Sequence, residues 1–95
     1  MLIGILRVEY RLHGVFSRKE KRNIANSIKQ KIRNKFNVSV AEVDKQDSLG
    51  SLVLGIITVS NDGKKINKVL QKCAAMLESI SSEEIWDISM EIIGV

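Results

Sequence analysis

The sequence predicts an α+β domain, a four-stranded antiparallel sheet that carries both of its helices on one face. Two segments, 17–36 and 61–80, place apolar residues at helical spacing, and four runs around them carry the alternating or continuous apolar patterns of strands. The resulting order is strand, helix, strand, strand, helix, strand. Each strand–helix–strand unit prefers a right-handed crossover, which stacks both helices on the same side. Ninety-five residues suffice for one hydrophobic core and not for two, so residues 1–95 are expected to form a single domain.

Leu2 to Leu12 reads as the first strand, because Leu6, Val8, Tyr10 and Leu12 alternate with Arg7, Glu9 and Arg11. His13-Gly14-Val15-Phe16 turns the chain. Ser17 followed three residues later by Glu20 is a capping box, which starts the first helix at Arg18. Ile24, Ile28, Ile32 and Phe36 then supply its buried stripe. Val38 to Lys45 is the second strand, with Val38, Val40 and Val43 set among polar residues, and 46–51 carries turn chemistry. Leu52 to Ser60 is the third strand. Its apolar residues Leu52, Val53, Leu54, Ile56, Ile57 and Val59 cover both faces, which predicts a central strand buried on both sides. Asn61-Asp62-Gly63 opens the second helix, whose stripe is Ile66, Val69, Leu70, Cys73, Leu77 and Ile80. Glu84 to Ile93 is the fourth strand, in which Trp86, Ile88, Met90 and Ile92 alternate with Asp87, Ser89 and Glu91. Two crossover units joined by the hairpin at 46–51 give the ferredoxin-like β-α-β-β-α-β arrangement.

Composition narrows the class. Apolar residues make up 44% and charged residues 27%, which is ordinary for a folded domain and argues against disorder. The longest stretch without charge, Ser48 to Asn61, falls short of the ~20 apolar residues of a membrane span. Met1 to Leu6 is too short for a signal peptide and lacks a cleavage site. A lone Cys73 allows no internal disulfide, which fits a cytoplasmic protein. The net charge of +4 is modest, but its distribution is uneven. Segment 17–36 holds eight of the 15 Lys and Arg residues and one acid, Glu20. Together 17–36 and 61–80 carry 12 basic and three acidic residues, which leaves three basic and eight acidic for the rest. A molecule with both helices on one side of its sheet is therefore electrically two-sided.

Stepping 100° per residue along the first helix sets Lys19, Arg22, Lys29 and Arg33 opposite the isoleucine stripe, with Asn26 and Gln30 beside them. Lys31 and Lys35 flank the stripe. On the second helix Lys64, Lys68 and Lys72 take the corresponding place. A charged helix face is often no more than a solvated face. Here the outer arc has almost no acid to pair with and mixes Arg with Asn and Gln, which suits phosphate and ribose contacts. The expected partner is RNA or a ribonucleoprotein, bound by a non-enzymatic protein. The sites are Arg18, Lys19, Lys21, Arg22, Lys29, Arg33, Lys64, Lys68 and Lys72, with the helix start at Ser17–Arg22 the strongest point. Charge reversal at Arg22, Lys29 and Arg33 is expected to abolish binding without unfolding the protein. Stacking of bases on the sheet, as in sheet-face RNA readers, is not expected: Tyr10 points coreward and the third strand has no aromatic.

No catalytic, metal or cofactor site is predicted. Glu42 and Asp44 fall on one face of a strand near Asp47, but no His or Cys lies nearby in sequence, and polar edge strands carry such residues against aggregation. His13 reads as a turn histidine and Cys73 as a small hydrophobe in a helix stripe. No phosphate-binding loop, nucleophile elbow or dinucleotide fingerprint is present. The sheet face away from the helices should expose Ile3, Ile5, Val53 and Ile57, an apolar patch that predicts a homodimer or a docking surface. Two other functions are compatible with the fold. One is a dimeric small-ligand module with its site at His13-Gly14-Val15. The other is a protein-binding adaptor that uses the sheet face.

Three runs carry a family resemblance: Gly4 to Glu9, Phe16 to Arg22, and Asn34-Lys35-Phe36-Asn37-Val38-Ser39-Val40-Ala41-Glu42-Val43-Asp44-Lys45-Gln46-Asp47. The chain resembles the YlxP-like family of small bacterial proteins over nearly its whole length. That family usually has Leu where Arg18 stands, so this chain adds one charge at the helix start. The resemblance implies a ferredoxin-like fold and no established activity. It also implies a gene setting among translation and ribosome-maturation factors, which favours RNA or the ribosomal small subunit as the expected partner.

Overall fold

A computed structural model describes residues 1–95. The elements are β1 (Leu2–Arg11), α1 (Arg18–Lys35), β2 (Ser39–Asp44), β3 (Ser51–Ser60), α2 (Gly63–Ser79) and β4 (Glu84–Gly94). The sheet runs β2-β3-β1-β4 with every neighbouring pair antiparallel. Together with the two helices this is the ferredoxin-like α+β architecture that the periodicities predict.

Each helix begins at a side-chain cap. Ser17 Oγ accepts from Glu20 N at 3.1 Å, and the Glu20 carboxylate reaches back to Phe16 N at 3.4 Å, so the reciprocal box closes one residue earlier than the usual motif. Asp62 caps α2 by accepting from Lys64 N at 2.9 Å. Gly14 takes the left-handed turn conformation, φ 72°, that lets the chain leave β1 for α1. The core lies between the sheet and the helices. Leu6, Val8, Tyr10, Leu52, Leu54 and Ile56 of the sheet meet Ile28 and Ile32 of α1 and Ile66, Leu70, Cys73 and Leu77 of α2. Gly4 belongs to this face too, and a Cβ there would strike Ile66, so its missing side chain sets how closely α2 approaches β1. Tyr10 OH donates to Leu77 O at 2.8 Å, and burial pushes its phenol up to about 12.

Two β-bulges change the face assignments that simple alternation gives. In β2, Glu42 pairs with Leu54 and Asp44 with Val53, so Val43 is the extra residue. Glu42 therefore faces the helices, while Asp44 faces the open side and Val43 lies over Gly55. The two carboxylates do not share a face. In β4, Glu9 pairs with Asp87 and Tyr10 with Ile85, leaving Trp86 as the extra residue. Ile85 packs against the core, and Trp86 swings to the open side beneath Arg11.

The third strand is central in the sheet but is not buried on both faces along its length. Val53 is fully buried, whereas Ile57 and Val59 on the same face are 42% and 61% exposed. Val53 points to the open side as parity requires, yet it is no part of an exposed patch. Lys45, at the end of β2, reaches Glu9 on β1 at 2.8 Å, and in this strand order its side chain must cross over Val53.

Candidate nucleic-acid interface

On the helix layer, Lys19, Arg22 and Arg33 of α1 and Lys64, Lys68 and Lys72 of α2 are exposed, and Lys29 is partly so. Arg18 is exposed but holds Asp47 at 3.5 Å. Of the 12 basic residues in 17–36 and 61–80, only Arg18 and Lys21 lie within 4.0 Å of a carboxylate; the other ten form no ion pair. Arg33 gives one N–H to Val40 O at 2.6 Å, and Lys31 lies 3.5 Å from Ile80 O, so these two are partly committed to backbone.

Lys21 is a correction. The charge count places it among the nucleic-acid contacts, but it is 4% exposed and faces inward. Its ammonium donates to the carbonyls of Ser48 at 2.6 Å, Lys45 at 3.0 Å and Gln46 at 3.4 Å. Glu42 Oε2 sits 3.0 Å away, an ion pair not aligned as a hydrogen bond. Four oxygens thus converge on one nitrogen and tie the β2–β3 turn to the head of α1. Lys45 stands there in the left-handed region, φ 51°. Removing the ammonium would leave the buried Glu42 Oε2 without its counter-charge and three carbonyls without their donor, which makes Lys21 a fold residue. Spacing held the signal: Lys21, Ala25, Ile28 and Ile32 are the buried positions of α1, one continuous stripe. Ile24 and Phe36, assigned to that stripe from sequence, are half-buried on its margin.

The start of α1 is consequently a weaker anion site than its composition implies. Lys21 is sequestered, Arg18 is paired, and the Glu20 carboxylate occupies the turn preceding the helix. The free cations lie further along. A small polar cleft between α1 and the β2–β3 hairpin gathers Arg18, Arg22, Asn26 and Lys29 around Gln46 and Glu42. A larger groove of about 830 Å³ lies along α2 where the C-terminal end of α1, Lys35 and Phe36, meets it. Its lining is Phe36, Val69, Ala75, Met76 and Ile80 with Ser79, rimmed by Lys35, Lys68 and Lys72, and it contains no carboxylate.

The opposite face handles charge differently. Arg7 lies 3.5 Å from Asp44, 3.9 Å from Asp87 and 4.0 Å from Glu9. Glu9, 5% exposed, accepts from Lys45 Nζ, and that hydrogen bond, with the charges of Lys45, Arg7 and Arg11, holds its carboxyl below the ordinary value of 4.5 against the opposing effect of burial. Arg11 stacks over Trp86 with its guanidinium carbon 3.8 Å from the ring centroid. Beyond this network the face turns apolar: Ile3 pairs with Val59 and Ile93, and Ile5 with Ile57. Val53 drops out of the predicted patch, and Val59 and Ile93 join it.

Cys73 is fully buried, and desolvation pushes its thiol up to about 11, the behaviour of a small hydrophobe. His13 lies 3.2 Å from Glu84 on the surface, and the clefts of the molecule are lined by residues other than His13, Gly14 and Val15. No helix is long and apolar enough to cross a membrane.

Residues 3–90 match a family described as "Protein of unknown function (DUF503)". The Bacillus subtilis (strain 168) protein described as "Uncharacterized protein YlxP" is 34% identical over 83 residues, 87% of this chain and 90% of that one. Among solved structures, SnoaB, a cofactor-independent oxygenase from Streptomyces nogalater, aligns over 99% of this chain and 92% of its own, with a TM-score of 0.48 and 10% identity. The de novo designed protein Ferredog-Diesel aligns over 94% and 83%, with a TM-score of 0.49 and 6% identity. By the family match and by its likeness to YlxP, this chain belongs to the family of unknown function DUF503.

Proposed function

We propose that this chain is a non-enzymatic protein that associates with RNA, in the ribosomal or translational setting its motifs imply, through the exposed cations of α1 and α2. The observation that carries the reading is the set of ten unpaired basic residues on one layer of a small molecule. Each unpaired cation can displace a counterion from a polyanion, and that release drives phosphate binding without base recognition. The contact residues are Lys19, Arg22, Lys29, Arg33, Lys64, Lys68 and Lys72, with Arg18 available on release from Asp47. Lys21 contributes only by holding the hairpin.

The test is fluorescence anisotropy with a labelled RNA and the variant Arg22→Glu, Lys29→Glu, Lys68→Glu. Lys68 replaces Arg33 in this set because Arg33 also bonds to Val40 O. Reversing three charges should weaken binding by at least about a hundredfold near 50 mM salt, with thermal unfolding unchanged within a few degrees. Equal binding by the two proteins would refute the reading. Were the chain instead a ligand module, a specific amino acid or nucleotide would raise the thermal midpoint at modest salt.

The open sheet face supports a partner of its own. Ile3, Ile5, Ile57, Val59 and Ile93 form an apolar end flanked by Glu91, and the cations of that face are already occupied. We propose that a second copy covers it, since two such faces meet without the repulsion that two helix layers would suffer. Sedimentation at high micromolar concentration should show a dimer that Ile57→Asp converts to monomer; a monomeric native chain would refute it.

A further inference from the structure

Three of the four aromatic side chains are wholly or partly open to solvent, and two of these bracket α1. Phe16, directly before the helix cap, is 83% exposed. A hydrophobic residue in that place ordinarily folds back on the first turn as a staple; the fourth helical position here is Lys21, which is turned inward to the hairpin, so Phe16 has no apolar partner there. Phe36, at the other end of α1, forms part of the groove floor with Val69 and Met76, under a rim of Lys35, Lys68 and Lys72. Groove and rim combine two chemistries, a flat apolar surface and cations without counter-charge. Duplex RNA can use only the cations, because its bases are stacked on each other. A single strand can use both, since unstacked bases take aromatic and apolar surface while the phosphates keep the lysines. An acidic amphipathic peptide also fits a groove of this kind. It leaves unexplained the isolated Phe16 and the unpaired cations that continue along α1 between the two aromatics.

We propose that the RNA taken by this layer is unpaired, with its bases seated on Phe16 and on the floor between α1 and α2 and its phosphates on the lysine rim. This rests on the RNA reading above and adds the strandedness of the ligand. The groove volume lies within the range of about 300–1,000 Å³ typical of sites for small organic groups.

The test compares a labelled unstructured 12-nucleotide RNA with its blunt duplex, on the full chain near 50 mM salt. Phe16→Ser removes an exposed ring, and Ala75→Glu puts a carboxylate on the exposed groove wall. Asn67→Glu makes the same charge change at an exposed α2 position outside the groove. The native chain should bind the single strand at least about fivefold tighter than the duplex. Phe16→Ser and Ala75→Glu should each reduce that preference, whereas Asn67→Glu should preserve it. Equal binding of the two RNAs, or equal effects of Ala75→Glu and Asn67→Glu, overturns the strandedness while leaving the RNA reading in place. Failure to bind either RNA overturns both, and an acidic amphipathic peptide bound in their stead and released by Ala75→Glu would assign the groove to a protein partner.

Discussion

On the open face of the sheet every cation is occupied. Arg7 sits among three carboxylates, Lys45 is bonded to Glu9, and Arg11 is stacked on Trp86. On the helix layer ten of the 12 basic residues have no carboxylate within 4.0 Å. Both faces contain Lys and Arg, so composition alone does not separate them. The difference is in the neighbours. Open-face cations have partners inside the fold, three carboxylates or an indole ring, whereas most helix-layer cations have no carboxylate beside them. Lys21 is the exception that defines the rule, because it belongs to the helix layer by sequence and to the interior by geometry.

The largest effect on stability should come from that exception. Lys21→Met keeps a long apolar stem but removes the donor to three carbonyls and the partner of Glu42, and should cost about 3 kcal/mol. A thermal midpoint lowered by more than about 10 °C would follow for a domain of this size. A midpoint near the native value would mean that the cation is interchangeable with its exposed neighbours. The next contrast is in pH. Because the Glu9 carboxyl is held below 4.5, the stability it supplies is present above that pH and is lost as pH falls through its folded value. Urea midpoints at pH 7 and pH 3 should therefore differ more for the native chain than for Glu9→Gln; equal differences would deny the Lys45–Glu9 bond its role. Trp86→Ala should cost about 0.5–1 kcal/mol by freeing Arg11, a stacked cation at a partly exposed site. Smallest of all, Lys68→Gln should stay within about 0.5 kcal/mol of the native stability, since nothing in the fold relies on it. Chemical denaturation checks both, and a large loss at Lys68 would erase the distinction between the two layers.

Much of this arrangement was legible in the sequence, and what was missed has identifiable causes. Helix stripes and caps are local and periodic, so Ser17, Asp62 and the run Ile66, Leu70, Cys73, Leu77 placed both helices to within a residue or two. The two bulges were not legible, because one extra residue, Val43 or Trp86, leaves no mark on composition and reverses the faces of its neighbours. That is why Glu42 and Asp44 read as a shared face and Trp86 as a partner of Ile88. Val53 read as exposed because its cover is Lys45, a side chain from another strand. Lys21 was misassigned for a different reason. Its spacing to Ala25, Ile28 and Ile32 is visible in the sequence, but among seven other cations of the same segment its charge masks its period.

If ten helix-layer cations without a carboxylate partner meet a phosphate backbone, as proposed above, that contact must depend steeply on salt. Cosedimentation with ribosomal small subunits at about 50 and 200 mM salt tests it most directly. The chain should pellet with the subunits at the lower salt and be largely released at the higher. A chain that stays in the supernatant at the lower salt, or that pellets equally at both, would contradict it.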